Sequence, residues 1–181
     1  MLATLIAVCT LALGSGCRRD VPVATPEKPS PITTFLAEYN LAGKVALLEF
    51  GAIGCEKSGE GLDAMIDLHR NRIISGLAFV RIERSADRKA ADAYYAEKNP
   101  DFPIKNDPDS VLARAFGATA YPSFVLVGKF GHVRYRGGFP GTKLADWADA
   151  LLAETKDQGK DIALFGTVSH MVLPLTAMTY R

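Results

Sequence analysis

The segment "KVALLEFGAIGCEKSGEGLDAMIDLHR", residues 44 to 70, limits what this chain can fold into more than any other stretch. An apolar run at 44–50 is short enough for a buried central strand, and Leu62, Met65, Ile66 and His69 recur at helical spacing over 62–70. A strand that runs into a helix through a few small residues is the opening of an α/β unit. Cys55 stands at that corner, and Ser58 follows three residues later, where a second cysteine would have made a dithiol. Gly59 and Gly61 are poor helix formers, so the helix is expected to begin late.

The remaining pattern continues the alternation. "LAFVRIER" (77–84) sets Phe79, Arg81 and Glu83 against Val80 and Ile82 and reads as a second strand; "DRKAADAYYAEK" (87–98) reads as a helix stopped by Asn99 and Pro100. A short helix falls within 106–117, opened by capping residues and closed on Gly117. "SFVLVGKFGHVRYRGG" reads as a hairpin about a Gly-Lys-Phe-Gly turn. Residues 142–156 form a closing amphipathic helix with Leu144, Trp147 and Leu151 on one face. The expected class is α/β, a mixed central β-sheet flanked by helices.

Charge excludes more than it suggests. The 181 residues carry 21 basic and 20 acidic side chains, a formal charge of +1. Neither sign forms a run, which leaves no footprint for nucleic acid. His69, His132 and His170 have no ligand spacing, so no metal site and no cofactor is expected.

The amino end reads as a leader. Leu2 to Leu13 is apolar but short for a membrane span, and small residues lead to Cys17. The ending "LALGSGC" resembles a bacterial lipobox, which implies cleavage over 1–17 and lipid on Cys17. It departs from that pattern in having no Lys or Arg ahead of the apolar segment and Leu13 four residues before the cysteine. An ordinary leader cleaved nearby is the alternative. Cleavage there discards Cys9 and leaves Cys55 the mature chain's one free thiol. Residues 18–39 begin with the proline-rich "RRDVPVATPEKPSP" and read as a linker between membrane and domain. The expected location is therefore a bacterial envelope, extracytoplasmic and anchored by lipid.

Taken together, "VALLEFGAIGC", "FPIKNDPDSVLARAFGATAYPSFVLV" and "GHVRYRGGFPG" resemble the thioredoxin-like superfamily, and within it the membrane-anchored thiol-disulfide oxidoreductase and redoxin branch called TlpA-like. The resemblance spans residues 40–156 and leaves 157–181 as an extension of unassigned role. It implies that Cys55 is a nucleophile at a helix amino end, where backbone donors and the helix dipole favour the thiolate. Lys57 would act the same way and Glu56 against it. It places Glu49 at the family's buried acid, and Pro122 at its cis-proline, with Tyr121 presenting backbone groups to substrate. Glu49 shares a strand side with Val45 and Leu47, which would raise its pKa; partial exposure or a lysine partner is the alternative. Gly51 and Gly54 replace residues that are often large in the family, implying a wider groove.

Ser58 sets the chemistry apart from the family's dithiol cycle. Serine cannot resolve a mixed disulfide, although its hydroxyl can hydrogen-bond the Cys55 thiolate or cap the helix. The partners implied are protein thiols and disulfides or low-molecular-weight thiols, with resolution by an outside thiol. A one-cysteine peroxidase is the rival enzyme, but Leu48 and Ala52 stand where peroxiredoxins have proline and threonine. A Cys-x-x-Ser iron-sulfur binder shares only the spacing. A redox-inactive peptide-binding module is the non-enzymatic alternative.

Overall fold

The computed structural model describes residues 28–71 and 74–157 of the chain. The elements run α1 (Pro31–Glu38), β1 (Val45–Gly51), α2 (Glu56–Arg70), β2 (Leu77–Glu83), α3 (Arg88–Lys98), β3 (Ile104–Asn106), α4 (Val111–Phe116), β4 (Ser123–Val127), β5 (Val133–Gly137) and α5 (Lys143–Ala153). They form one mixed sheet in the order β3-β2-β1-β4-β5. Strands β1, β2 and β3 run parallel, β4 runs antiparallel to β1, and β5 forms a hairpin with β4.

The central place of β1 follows from its sequence. All seven of its residues are buried, as expected of a strand covered on both faces. Val45 and Leu47 point into a core shared with α2, α3 and α5, whereas Ala46, Leu48 and Phe50 point into one built with α1 and α4. Glu49 belongs by alternation to the α2 side and is the polar residue of an otherwise apolar strand interior.

Three elements differ from the sequence expectation. Helix α1 lies inside the stretch read as linker: Ser30 caps it by accepting from the Thr33 N–H at 3.1 Å, Pro31 occupies the first turn, and Phe35 and Leu36 are buried. Proline suits that position, where its missing N–H costs nothing, so the prolines here mark a helix start as well as a linker. Strand β3 is three residues long, too short to leave a period-2 signal. Helix α2 begins at Glu56 and not near residue 62, with both glycines inside it.

Packing explains the second glycine. A Cβ on Gly61 would lie 2.7 Å from Glu49 Oε1 and 3.0 Å from Phe124 Cζ, both fully buried. Gly61→Ala should therefore lower stability by about 1–2 kcal/mol in urea unfolding, although alanine is the better helix former by about 1 kcal/mol. A stabilised variant would show that α2 does not approach β1 this closely.

No helix among the described residues is long and apolar enough to cross a membrane. The expected leader with Cys9 and Cys17, the first part of the linker, His170 and the extension from 158 onward lie outside the described residues.

Candidate functional site

The chain leaves the sheet at Gly51 and crosses four residues to α2. Gly54 makes the crossing with φ +80°, a backbone state that favours glycine, and Cys55 is the residue that caps α2. Cys55 is half-buried and unpaired, and its side chain makes no cap hydrogen bond. The Ser58 hydroxyl first of all, then the backbone N–H groups of Ser58 and Lys57 in the first turn of α2, favour its thiolate form. These groups, with a smaller pull from the Arg81 charge, hold the thiol below its ordinary value against the opposing effect of burial.

Ser58 is fully buried, and its Oγ accepts from the Ala52 N–H at 3.3 Å. It thus faces the crossing and the sulfur and does not cap the helix.

Glu49 is also fully buried, beside the guanidinium of Arg81, its register partner on β2. The two form a close charge contact, not a well-directed hydrogen bond. Burial pushes the Glu49 carboxyl up to about 7; Arg81 pulls it down and Glu83 pushes it up. The partner is thus an arginine, not the lysine considered from sequence.

Arg81, Glu83 and Tyr95 form the part of the site that sequence reading missed. All three are buried. Arg81 donates through Nη1 to the Ser58 carbonyl at 3.3 Å and through Nε to the Tyr95 hydroxyl at 2.9 Å, and its Nη2 lies 3.4 Å from Glu83 Oε2. The Tyr95 hydroxyl donates to that same Glu83 oxygen. The other, Oε1, accepts from the N–H of Ile53 at 3.2 Å and of Ser85 at 2.7 Å. The guanidinium occupies the space a Cβ on Gly51 would need. The space left by the missing side chain at Gly51 is therefore filled by Arg81, whereas a Cβ on Gly54 would meet nothing within 4 Å.

The Tyr121-Pro122 bond is cis. Ser123, next in the chain, pairs with Phe50, so this loop lies at the sheet end from which the Cys55 crossing departs. The Tyr121 ring is half-buried under the Arg84 guanidinium, 5.2 Å from its centroid, which leaves its backbone as the group a partner chain could meet.

His69 and His132, the histidines among the described residues, lie apart from Cys55. His69 sits against Phe79 and Phe102 at ring separations of 5.4 and 5.6 Å, and His132 Nε2 lies 3.0 Å from Asp157. Among the described residues no three metal-ligating side chains come together.

A mixed sheet in the order β3-β2-β1-β4-β5, with a cysteine capping the helix after the central strand and a cis-proline before β4, decides the architecture. The fold is thioredoxin-like. Solved structures agree: a Neisseria meningitidis protein assigned as a thioredoxin is 22% identical, with a TM-score of 0.58 over 65% of this chain and 80% of that one. A thiol-disulfide isomerase from Corynebacterium glutamicum is 19% identical, with a TM-score of 0.57 over 65% and 86%. A secreted Mycobacterium tuberculosis disulfide oxidoreductase homologous to Escherichia coli DsbE is 22% identical, with a TM-score of 0.52 over 61% and 84%. No family model matches the chain, and no curated protein matches its sequence. At such identities the likeness establishes the thioredoxin-like fold; what Cys55 does has to be argued from the site.

Proposed function

We propose that this chain is a monothiol thiol-disulfide exchange protein of a bacterial cell envelope, with Cys55 as nucleophile. The observation that carries this is the environment of one sulfur: a half-buried thiol at a helix amino end, held below its ordinary value by the Ser58 hydroxyl and the N–H groups of the first turn. Those surroundings favour a thiolate, which is the attacking form.

The cycle balances without a cofactor. The Cys55 thiolate attacks one sulfur of a substrate disulfide, forming a mixed disulfide and releasing the other sulfur as a thiolate. An outside thiolate, from a small thiol, a partner protein or a second cysteine of the substrate, then attacks the substrate sulfur and frees Cys55. Net oxidation is zero and the disulfide has changed partners. Ser58 holds the thiolate, and Glu49 is the buried acid that tunes the site. Tyr121 and Pro122 present backbone to an extended substrate segment. A lipid on Cys17 would tether the domain on the extracytoplasmic side, and the secreted Mycobacterium protein is consistent with such a location.

The test is the pH dependence of Cys55 alkylation in the full chain with Cys9 and Cys17 replaced. A midpoint well below about 8.5, together with glutathione-dependent exchange that disappears in Cys55→Ser, is expected. An ordinary midpoint without exchange would leave a peptide-binding module that keeps its affinity in Cys55→Ala.

A further inference from the structure

The chain on either side of Cys55 is held by β2. Glu83 Oε1 accepts from Ile53, two residues before the cysteine, while Arg81 Nη1 donates to the carbonyl of Ser58, three residues after it. Glu83 joins these contacts, because its Oε2 lies beside Arg81 and accepts the Tyr95 hydroxyl. Its surroundings are thus Arg81 on its own strand, Glu49 on β1 and Tyr95 on α3.

We propose that Glu83 is a positioning residue for Cys55: through Ile53 it fixes the crossing between β1 and α2, and through Arg81 it fixes the first turn of α2. It does not touch the sulfur. A crossing that contains Gly54 at positive φ has little intrinsic preference for one path, and ordering each residue costs about 1–2 kcal/mol. A buried carboxylate that accepts a backbone N–H supplies a charge-assisted bond to offset that cost, and a satisfied polar network keeps it in one geometry. The consequence is that Cys55 keeps its place at the amino end of α2, beside Ser58. This inference rests on the exchange proposal for its purpose, but the contact itself is testable apart from it.

Two variants separate positioning from simple charge balance. Glu83→Ala removes both the acceptor for Ile53 and the charge beside Arg81, whereas Glu83→Gln keeps an acceptor and removes the charge. In Glu83→Ala the Cys55 alkylation midpoint should rise by about half a pH unit, about a threefold loss of thiolate below the midpoint. Protection of the Ile53 amide from hydrogen exchange should fall about tenfold or more. Glu83→Gln should recover most of both. If Glu83→Ala does not fold, Tyr95→Phe, which removes the hydroxyl that orients the carboxylate, should move both readouts in the same direction. An unchanged midpoint with unchanged Ile53 protection overturns the proposal, and so does a glutamine variant no better than alanine. A wild-type thiol that titrates at its ordinary value overturns the exchange reading alone; the placing of Glu83 then stands or falls on the Ile53 amide.

Discussion

Arg81→Met should lower the stability of the domain by about 3–5 kcal/mol at pH 8, because it strands two buried carboxylates, Glu49 and Glu83, without their cation. The loss should be smaller at pH 5. In the native protein the Glu49 carboxyl is pushed up to about 7 from an ordinary 4.5. A carboxyl raised in this way contributes stability that is fully present below the ordinary value and is lost as pH rises through about 7, where the folded state must bury a charge. Removing Arg81 takes away the group that pulls Glu49 down, so the variant gains more from protonation than the wild type does. Urea unfolding at the two pH values decides it. An equal loss at both would mean that the guanidinium matters as filler for the space beside Gly51 and not as a charge.

Ser58→Cys should turn a chain that depends on outside thiol into one that reduces insulin disulfides repeatedly when dithiothreitol is supplied. Ser58 lies in the first turn of the helix that Cys55 caps and is the first of the groups that favour its thiolate, so a thiol at its place attacks the mixed disulfide within the molecule. Orientation of that kind replaces a second-order step, and resolution should quicken by at least about tenfold at millimolar outside thiol. The variant loses the hydroxyl that accepts from Ala52, at a cost of about 1 kcal/mol. Stopped-flow release of a fluorescent mixed disulfide, in wild type and variant, reads the step directly. Equal release rates would show that position 58 cannot reach the adduct and would count against Cys55 as the exchanging group.

The strongly periodic parts of this fold were legible in the sequence, and so was the cysteine corner. β1, β2, α3, the hairpin and α5 carry the period of their element over enough residues to be read. α1 was hidden because the same prolines that stiffen a linker also open a helix, and only the burial of Phe35 and Leu36 separates the two. α2 was placed too late because helix propensity penalises Gly61, whereas contact with Glu49 and Phe124 requires it. In the candidate site, Cys55, Ser58 and Glu49 stood out in the sequence by their positions and by the thioredoxin-like resemblance. Arg81, Glu83 and Tyr95 did not, since charged residues alternating with Val80 and Ile82 look like a strand's solvent face. The available signal was Phe79, an aromatic residue on that same side of β2, which indicates a covered face where charges must pair.

The burial of Ser58 beside the exposed edge of Cys55 has a consequence in time. If Cys55 exchanges as proposed and the captured partner brings no second cysteine, an adduct on its sulfur has no thiol at position 58 to release it, and its lifetime varies inversely with the concentration of thiol around the protein. A tenfold poorer supply of thiol keeps the captured partner about ten times longer. A dithiol enzyme lets go on its own schedule; this chain would hold its cargo for as long as its surroundings stay oxidising, and the fraction of occupied molecules would report how oxidising they are.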